Sequence, residues 1–138
     1  MTSMPMDQTD IEILNAVFTA FAKRDVAGVL AHAADDIIFT PMTADYAGRD
    51  EAYVGHDGIR DYFRDVSSVW DHITVTPTKF RQVGDTVLVT GKISAVAPGR
   101  LVAGSTGWIW RLREGKIVYG RVYPSAGAAI AALENSGA

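Results

Sequence analysis

The chain has 138 residues, 48% hydrophobic and 21% charged, with a formal net charge of −3. That is the size and make-up of one domain able to bury a core without metals or staples. Cysteine is absent, which excludes disulfides, thiolate metal sites and a cysteine nucleophile. Lys and Arg are scattered, and no apolar run nears the ~20 residues of a membrane span, so neither nucleic acid nor membrane is an expected partner. Residues 1–8 lack the basic-then-apolar layout of a signal peptide and read as a disordered tail of a cytoplasmic protein.

Residues 9–24 predict an amphipathic helix, because Ile11, Leu14, Phe18, Phe21 and Ala22 recur at helical spacing on one face. Thr9 followed by Glu12 makes a capping-box start. Asp25 then caps a shorter helix reaching Ala33, with Val26, Val29 and Leu30 inward. A β-type run over 37–42 is stopped by Pro41. The polar stretch 43–55 is too long for a hairpin turn and reads as a loop holding a short strand. Helical spacing returns over 57–70 through Ile59, Tyr62, Phe63, Val66, Val69 and Trp70.

After Trp70 the period changes to that of strands. Residues 73–82, 86–96, 106–113 and 116–123 form four, with turns at Val83-Gly84-Asp85, Pro98-Gly99 and Glu114-Gly115. The Ala-rich residues 125–133 read as a short terminal helix. Helices first and a strand meander after them is an α+β order. The expected architecture is a curved antiparallel sheet, a cone-shaped half-barrel packed on three helices, with a cavity in its concavity.

This order of elements carries Ala34-Asp35-Asp36-Ile37-Ile38-Phe39 into the first strand. Tyr53-Val54-Gly55-His56-Asp57-Gly58-Ile59 opens the third helix, and Gly115-Lys116-Ile117-Val118 begins the last strand. Together they resemble the nuclear-transport-factor-two-like superfamily, and within it the SnoaL-like polyketide cyclases and ketosteroid isomerases. The resemblance spans the chain after Gln8, so residues 9–138 are expected to form a single SnoaL-like domain. It also implies a homodimer through the sheet face that carries Tyr119, Arg121 and Tyr123. It implies no single activity, because the superfamily includes isomerases, dehydratases, cyclases, epoxide hydrolases and non-catalytic binders. The isomerase pattern itself is not matched. Thr40 precedes Pro41 where that mechanism needs an Asp base, Val17 and Phe18 stand where it needs a donor Tyr, and Trp108 replaces the second carboxyl.

Trp108 and Trp110, two apart on one strand, share a face. They either form an aromatic wall for a ring-shaped ligand or simply fill the cone. With Phe18, Thr40, Tyr46, Tyr53 and Phe63 they make up the expected ligand pocket. His56, at a helix start, is a candidate acid or base, or else a solvated residue beside a dipole-complementing Asp57. Asp45, on the loop expected over the mouth, is a candidate general base or part of a charged lid. His32, His56 and His72 show no metal-ligand spacing, and no glycine-rich phosphate loop precedes a helix, so no metal and no cofactor are expected. The expectation is a domain binding a small apolar molecule. Either it is a cofactor-free acid–base isomerase, cyclase or lyase, or it is a non-catalytic ligand-binding or dimerisation module.

Overall fold

The computed structural model describes residues 6–40, 52–69, 71–123 and 125–135. Helix α1 spans Met6–Ala22 and α2 spans Val26–Leu30. Strand β1 (Ala33–Thr40), the two-residue β2 (Tyr53–Val54) and helix α3 (Gly55–Val69) follow. The meander is β3 (His72–Val83), β4 (Thr86–Ala97), β5 (Arg100–Arg113) and β6 (Lys116–Tyr123), and α4 (Ala126–Asn135) comes last.

The apolar stripe of α1 buries Leu14, Val17, Phe18 and Ala20. The helix starts at Met6, three residues before the Thr9 capping box, so Thr9 stands inside it. Between α1 and α2 the chain reverses through Arg24, at a left-handed φ of 57°. The Asp25 side chain then caps α2 by accepting from the Gly28 N–H at 3.1 Å. The expected extension of α2 to Ala33 does not form, because Ala33 is already paired with Ile117 of β6.

The six strands lie in the order β2-β1-β6-β5-β4-β3. All pairings are antiparallel except β1 with β6, which is parallel, so the expected antiparallel sheet is in fact mixed. The α3 crossover returns the chain at the far edge, and three reversals then bring β6 alongside β1 in the same direction. Turn signals alone do not report that re-entry point. Irregular register between Pro77 and Lys79, and again between Arg111 and Leu112, bends the strands and helps curve the sheet.

The two faces are occupied differently. The concave face carries Val87, Val89, Trp108, Trp110 and Leu112 against α1 and α3. On the convex face α4 seats Ala129, fully buried, on Leu88 and Ile109, with Tyr119 and Tyr123 half-buried beside it. Gly107 makes that seat possible, since a Cβ there would stand 2.4 Å from the Ala129 Cβ. The sheet face expected to pair two copies therefore carries a helix of the same chain over part of its area. Among the described residues, no helix is long and apolar enough to cross a membrane.

Candidate functional site

Strand alternation turns Trp108 and Trp110 inward, leaving Ile109 for α4. Phe18 of α1 meets both indoles edge-on, with ring centroids 5.0 and 5.9 Å away. Trp110 stacks on Phe39 of β1 at 5.9 Å with planes 10° apart. Gly120 opposite Trp110 on β6 leaves room for the indole, because any Cβ there would fall 2.5 Å from its Cζ3. From Phe39 the aromatic contacts pass edge-on to Tyr62 at 4.9 Å, and from Tyr62 to Phe21 and Phe63. These rings, with aliphatic side chains including Val75, Ile93, Ile117 and Val122, line a cavity of about 70 Å³.

The wall is apolar apart from ring-borne groups. No Asp, Glu, His, Lys or Arg is among the described residues that line it. Burial pushes the Tyr62 hydroxyl well above the usual phenol range; nearby Tyr53 adds to the rise and Arg24 opposes it. Tyr62 thus stays neutral through the physiological range and can donate a hydrogen bond. Trp110, only 5% exposed, has an Nε1–H with no hydrogen-bond partner among the described residues. An orphaned donor of this kind costs about 1–3 kcal/mol.

Of the residues singled out from sequence, Phe18, Phe63, Trp108 and Trp110 line the cavity. Thr40 does not. It follows inward-facing Phe39, and successive strand residues face opposite sides, so Thr40 points away from the cavity. Tyr53 stands behind the wall, 2% exposed, packed edge-on against Tyr62 and donating from its hydroxyl to Asp65 Oδ2 at 2.6 Å. His56 is likewise outside the cavity. Its Nε2 donates to the Ala33 carbonyl at 2.9 Å and lies 3.8 Å from the exposed Asp35 carboxylate, so it ties the start of α3 to β1. Asp45 and Tyr46 lie outside the described residues. Sequence reasoning placed Tyr62 on the buried stripe of α3 and Phe21 on that of α1 but neither in the pocket, and it gave Phe39 no place there. Their signal was only their inward phase, which a core residue and a pocket residue share. Among the described residues, no three His, Asp or Glu side chains come together as metal ligands.

A mixed sheet curled over helices, with an aromatic cavity in its hollow, is the α+β cone of the ketosteroid-isomerase-like fold. The family model for the SnoaL-like domain matches residues 14–120, and the chain belongs to that family. Among solved structures it is similar to an NTF2-like protein of unknown function from Burkholderia pseudomallei. The two are 23% identical over 89% of this chain and 95% of that one, with a TM-score of 0.77. TerC, co-crystallised with polyporic acid, is 23% identical over 92% of this chain and 99% of its own, with a TM-score of 0.77. A protein of ketosteroid isomerase-like fold from Catenulispora acidiphila, in complex with trimethylamine, is 20% identical over 87% and 90%, with a TM-score of 0.70. At these identities the likeness is one of fold. Among curated proteins, none matches this chain.

Proposed function

We propose that this domain binds a small, flat, largely apolar molecule inside the cone, and that it does so as a ligand-binding module. The observation that carries this reading is the cavity itself: a hollow walled by aromatic rings, whose described lining contains no carboxylate, imidazole or amine. A general acid or base must reach within hydrogen-bond distance of the reacting proton. The His56 ring, which was a candidate for that role, is spent on a backbone carbonyl outside the cavity. An apolar void forgoes dispersion contacts along its whole lining, and a ring compound that fills it recovers them. The two small-molecule complexes among the similar structures, with polyporic acid and trimethylamine, are consistent with a cone used for small ligands.

The test is a ligand-observed NMR screen of neutral one- and two-ring compounds against the wild-type chain and Val75→Phe, which adds a ring to the cavity wall. Binding to the wild type that Val75→Phe abolishes, with each compound recovered unchanged, is the expected result. No binder in the panel, or binding indifferent to Val75→Phe, would remove the cavity as the site. Conversion of a bound compound would overturn the non-catalytic reading, and its loss in Asp45→Asn would put the base on that residue.

A further inference from the structure

Lys and Arg residues that are scattered along the sequence are gathered by the fold. Residues 72–123 hold eight of the thirteen Lys and Arg but only two of the sixteen Asp and Glu. Those two, Asp85 and Glu114, stand in turns between strands. Strand register then sorts the cations by face. Arg81 pairs with Leu88, Arg121 with Ile109 and Arg111 with Tyr119, all on the convex side that seats α4. Lys79 and Lys92 share that side, because Thr90, the partner of Lys79, and Lys92 itself lie two and four residues beyond Leu88 on β4. The ion pairs among the described residues include none of these five.

The same side carries exposed aliphatic surface. Val54, Ile38, Tyr119, Arg111, Thr86 and Val83 are successive partners from β2 to β3, so they form one row across the whole sheet. Val54, Val83 and Ile38 are 60, 50 and 43% exposed. Helix α4 touches β6, β5 and β4 over the neighbouring positions Ile109 and Gly107, and so stands beside this row as a rail. The Arg111 guanidinium lies 5.4 Å from the centre of the Tyr119 ring, and that of Arg121 lies 5.3 Å from the centre of Tyr123. Stacking on a ring holds each guanidinium plane ready to meet a carboxylate. Arg121, two residues beyond the partner of Arg111, is its diagonal neighbour, so the two like charges repel until an anion lies between them.

We propose that this row is a docking site for an acidic, amphipathic helix of another protein, lying alongside α4 with its carboxylates toward Arg111, Arg121 and Arg81. Its apolar side chains rest on Ile38, Val54 and Val83. Strands spaced about 4.8 Å apart make the row roughly 24 Å long, the length of about 16 residues of helix. Charge chooses among the occupants. A second copy using this face about a twofold axis sets the same cations against each other. The aliphatic positions have no counterpart in a phosphodiester backbone, and a flat bilayer laid on a convex face meets the α4 ridge before the row. Arg and Tyr enriched, with carboxylates depleted, is the composition of a protein interface.

The test uses a designed probe, a helical peptide of about 16 residues with Glu along one face and Leu along the other, and its Glu→Gln counterpart. Binding is followed by fluorescence anisotropy and mapped by ¹H–¹⁵N shifts. The Glu peptide is expected to bind, more weakly as salt rises, and to shift amides of β4, β5 and β6 rather than those of α1 and α3. The Gln peptide with the wild type, and the Glu peptide with Arg111→Glu/Arg121→Glu, are each expected to bind at least about tenfold more weakly. No binding of the Glu peptide, an affinity indifferent to the two arginines, or shifts confined to other elements would overturn the proposal. Tighter binding to phosphatidylcholine vesicles with about 30% phosphatidylserine, or to duplex DNA, lost in the same double variant, would reassign the face to lipid or nucleic acid. A dimer in sedimentation that the double variant dissociates would give the face to a second copy instead. Should the double variant fail to fold, Arg111→Gln and Arg121→Gln, each at an exposed position, replace it with an expected loss of about threefold apiece.

Discussion

Replacing Gly120 with Ala probes the aromatic wall from behind. A Cβ at that position would stand 2.5 Å from Cζ3 and 2.6 Å from Cε3 of Trp110, and 3.1 Å from Cδ1 of Phe39. All three are ring atoms in a stack, not the ends of flexible chains, so the indole has to move as a body. Inserting a methyl into a packed core typically costs about 1–3 kcal/mol. The cavity on the other side of the ring gives it somewhere to go, which keeps the loss within that range rather than preventing folding. For a chain of this length the melting temperature should fall by roughly 3–10 °C. Urea unfolding followed by circular dichroism measures the loss, and a double-mutant cycle assigns it. Trp110→Phe removes the bicyclic indole that carries Cζ3 and Cε3 but leaves Phe39 Cδ1 at 3.1 Å, so adding Gly120→Ala to it should cost less than adding it to the wild type. A coupling of up to about 3 kcal/mol is therefore expected between the two sites. Additive losses, or a Gly120→Ala protein as stable as the wild type, would show that the indole is not held against β6.

Two other outcomes follow from the same structure. Gly107→Ala should unseat α4, because its Cβ would fall 2.4 Å from that of the fully buried Ala129. Hydrogen exchange should then rise over residues 126–135 while β4 and β5 stay protected, and unchanged protection of α4 would contradict the packing. Tyr62→Phe should change the alkaline limit of stability. Burial holds the Tyr62 proton in the folded state above the usual phenol value, so this contribution is complete below about pH 10 and is lost as pH rises through the folded pKa. The wild type should lose up to about 1.4 kcal/mol per pH unit more than the variant above about pH 10. Tyr123, also raised chiefly by burial, contributes equally in both proteins, so only the difference between them is read. Parallel pH profiles would sink the assignment.

Legibility in the sequence followed the range of the forces involved. Strand β6 runs over the predicted residues 116–123, because its start is set by a turn at Glu114 and Gly115, both at positive φ. Strand β5 begins six residues earlier than predicted, at Arg100. Its first part includes Ala103, Gly104 and Ser105, residues of low β-propensity that are strands because β4 pairs with them from Ala97↔Arg100 onward. Alternation put Trp108 and Trp110 on one face of their strand, and the resemblance made that face the inward one. The same rule applied to Ile37 and Phe39 turns Thr40 outward, and its inclusion in the pocket came from the resemblance instead. His56 was legible as a helix-start residue, but its partner is the carbonyl of Ala33, 23 positions away, which no local pattern reveals. The unpaired Trp110 N–H is the least legible feature of all, since an orphan is defined by every neighbour it fails to meet.

The two faces of β5 join these observations. Trp108 and Trp110 form the cavity wall, while Gly107 and Ile109, alternating with them, are clamped under α4. Strand β5 cannot shift on one face without disturbing the other, because the pleat fixes both sets of side chains to one backbone. Helix α4 therefore stiffens the wall from outside the cone, and Gly120 sets how closely Trp110 lies against β6 from within it. An indole placed between these two constraints has little freedom except toward the cavity. On the proposed reading, a ligand would meet a preorganised surface there, and the ordering cost that a mobile wall would add to binding would already be met in folding.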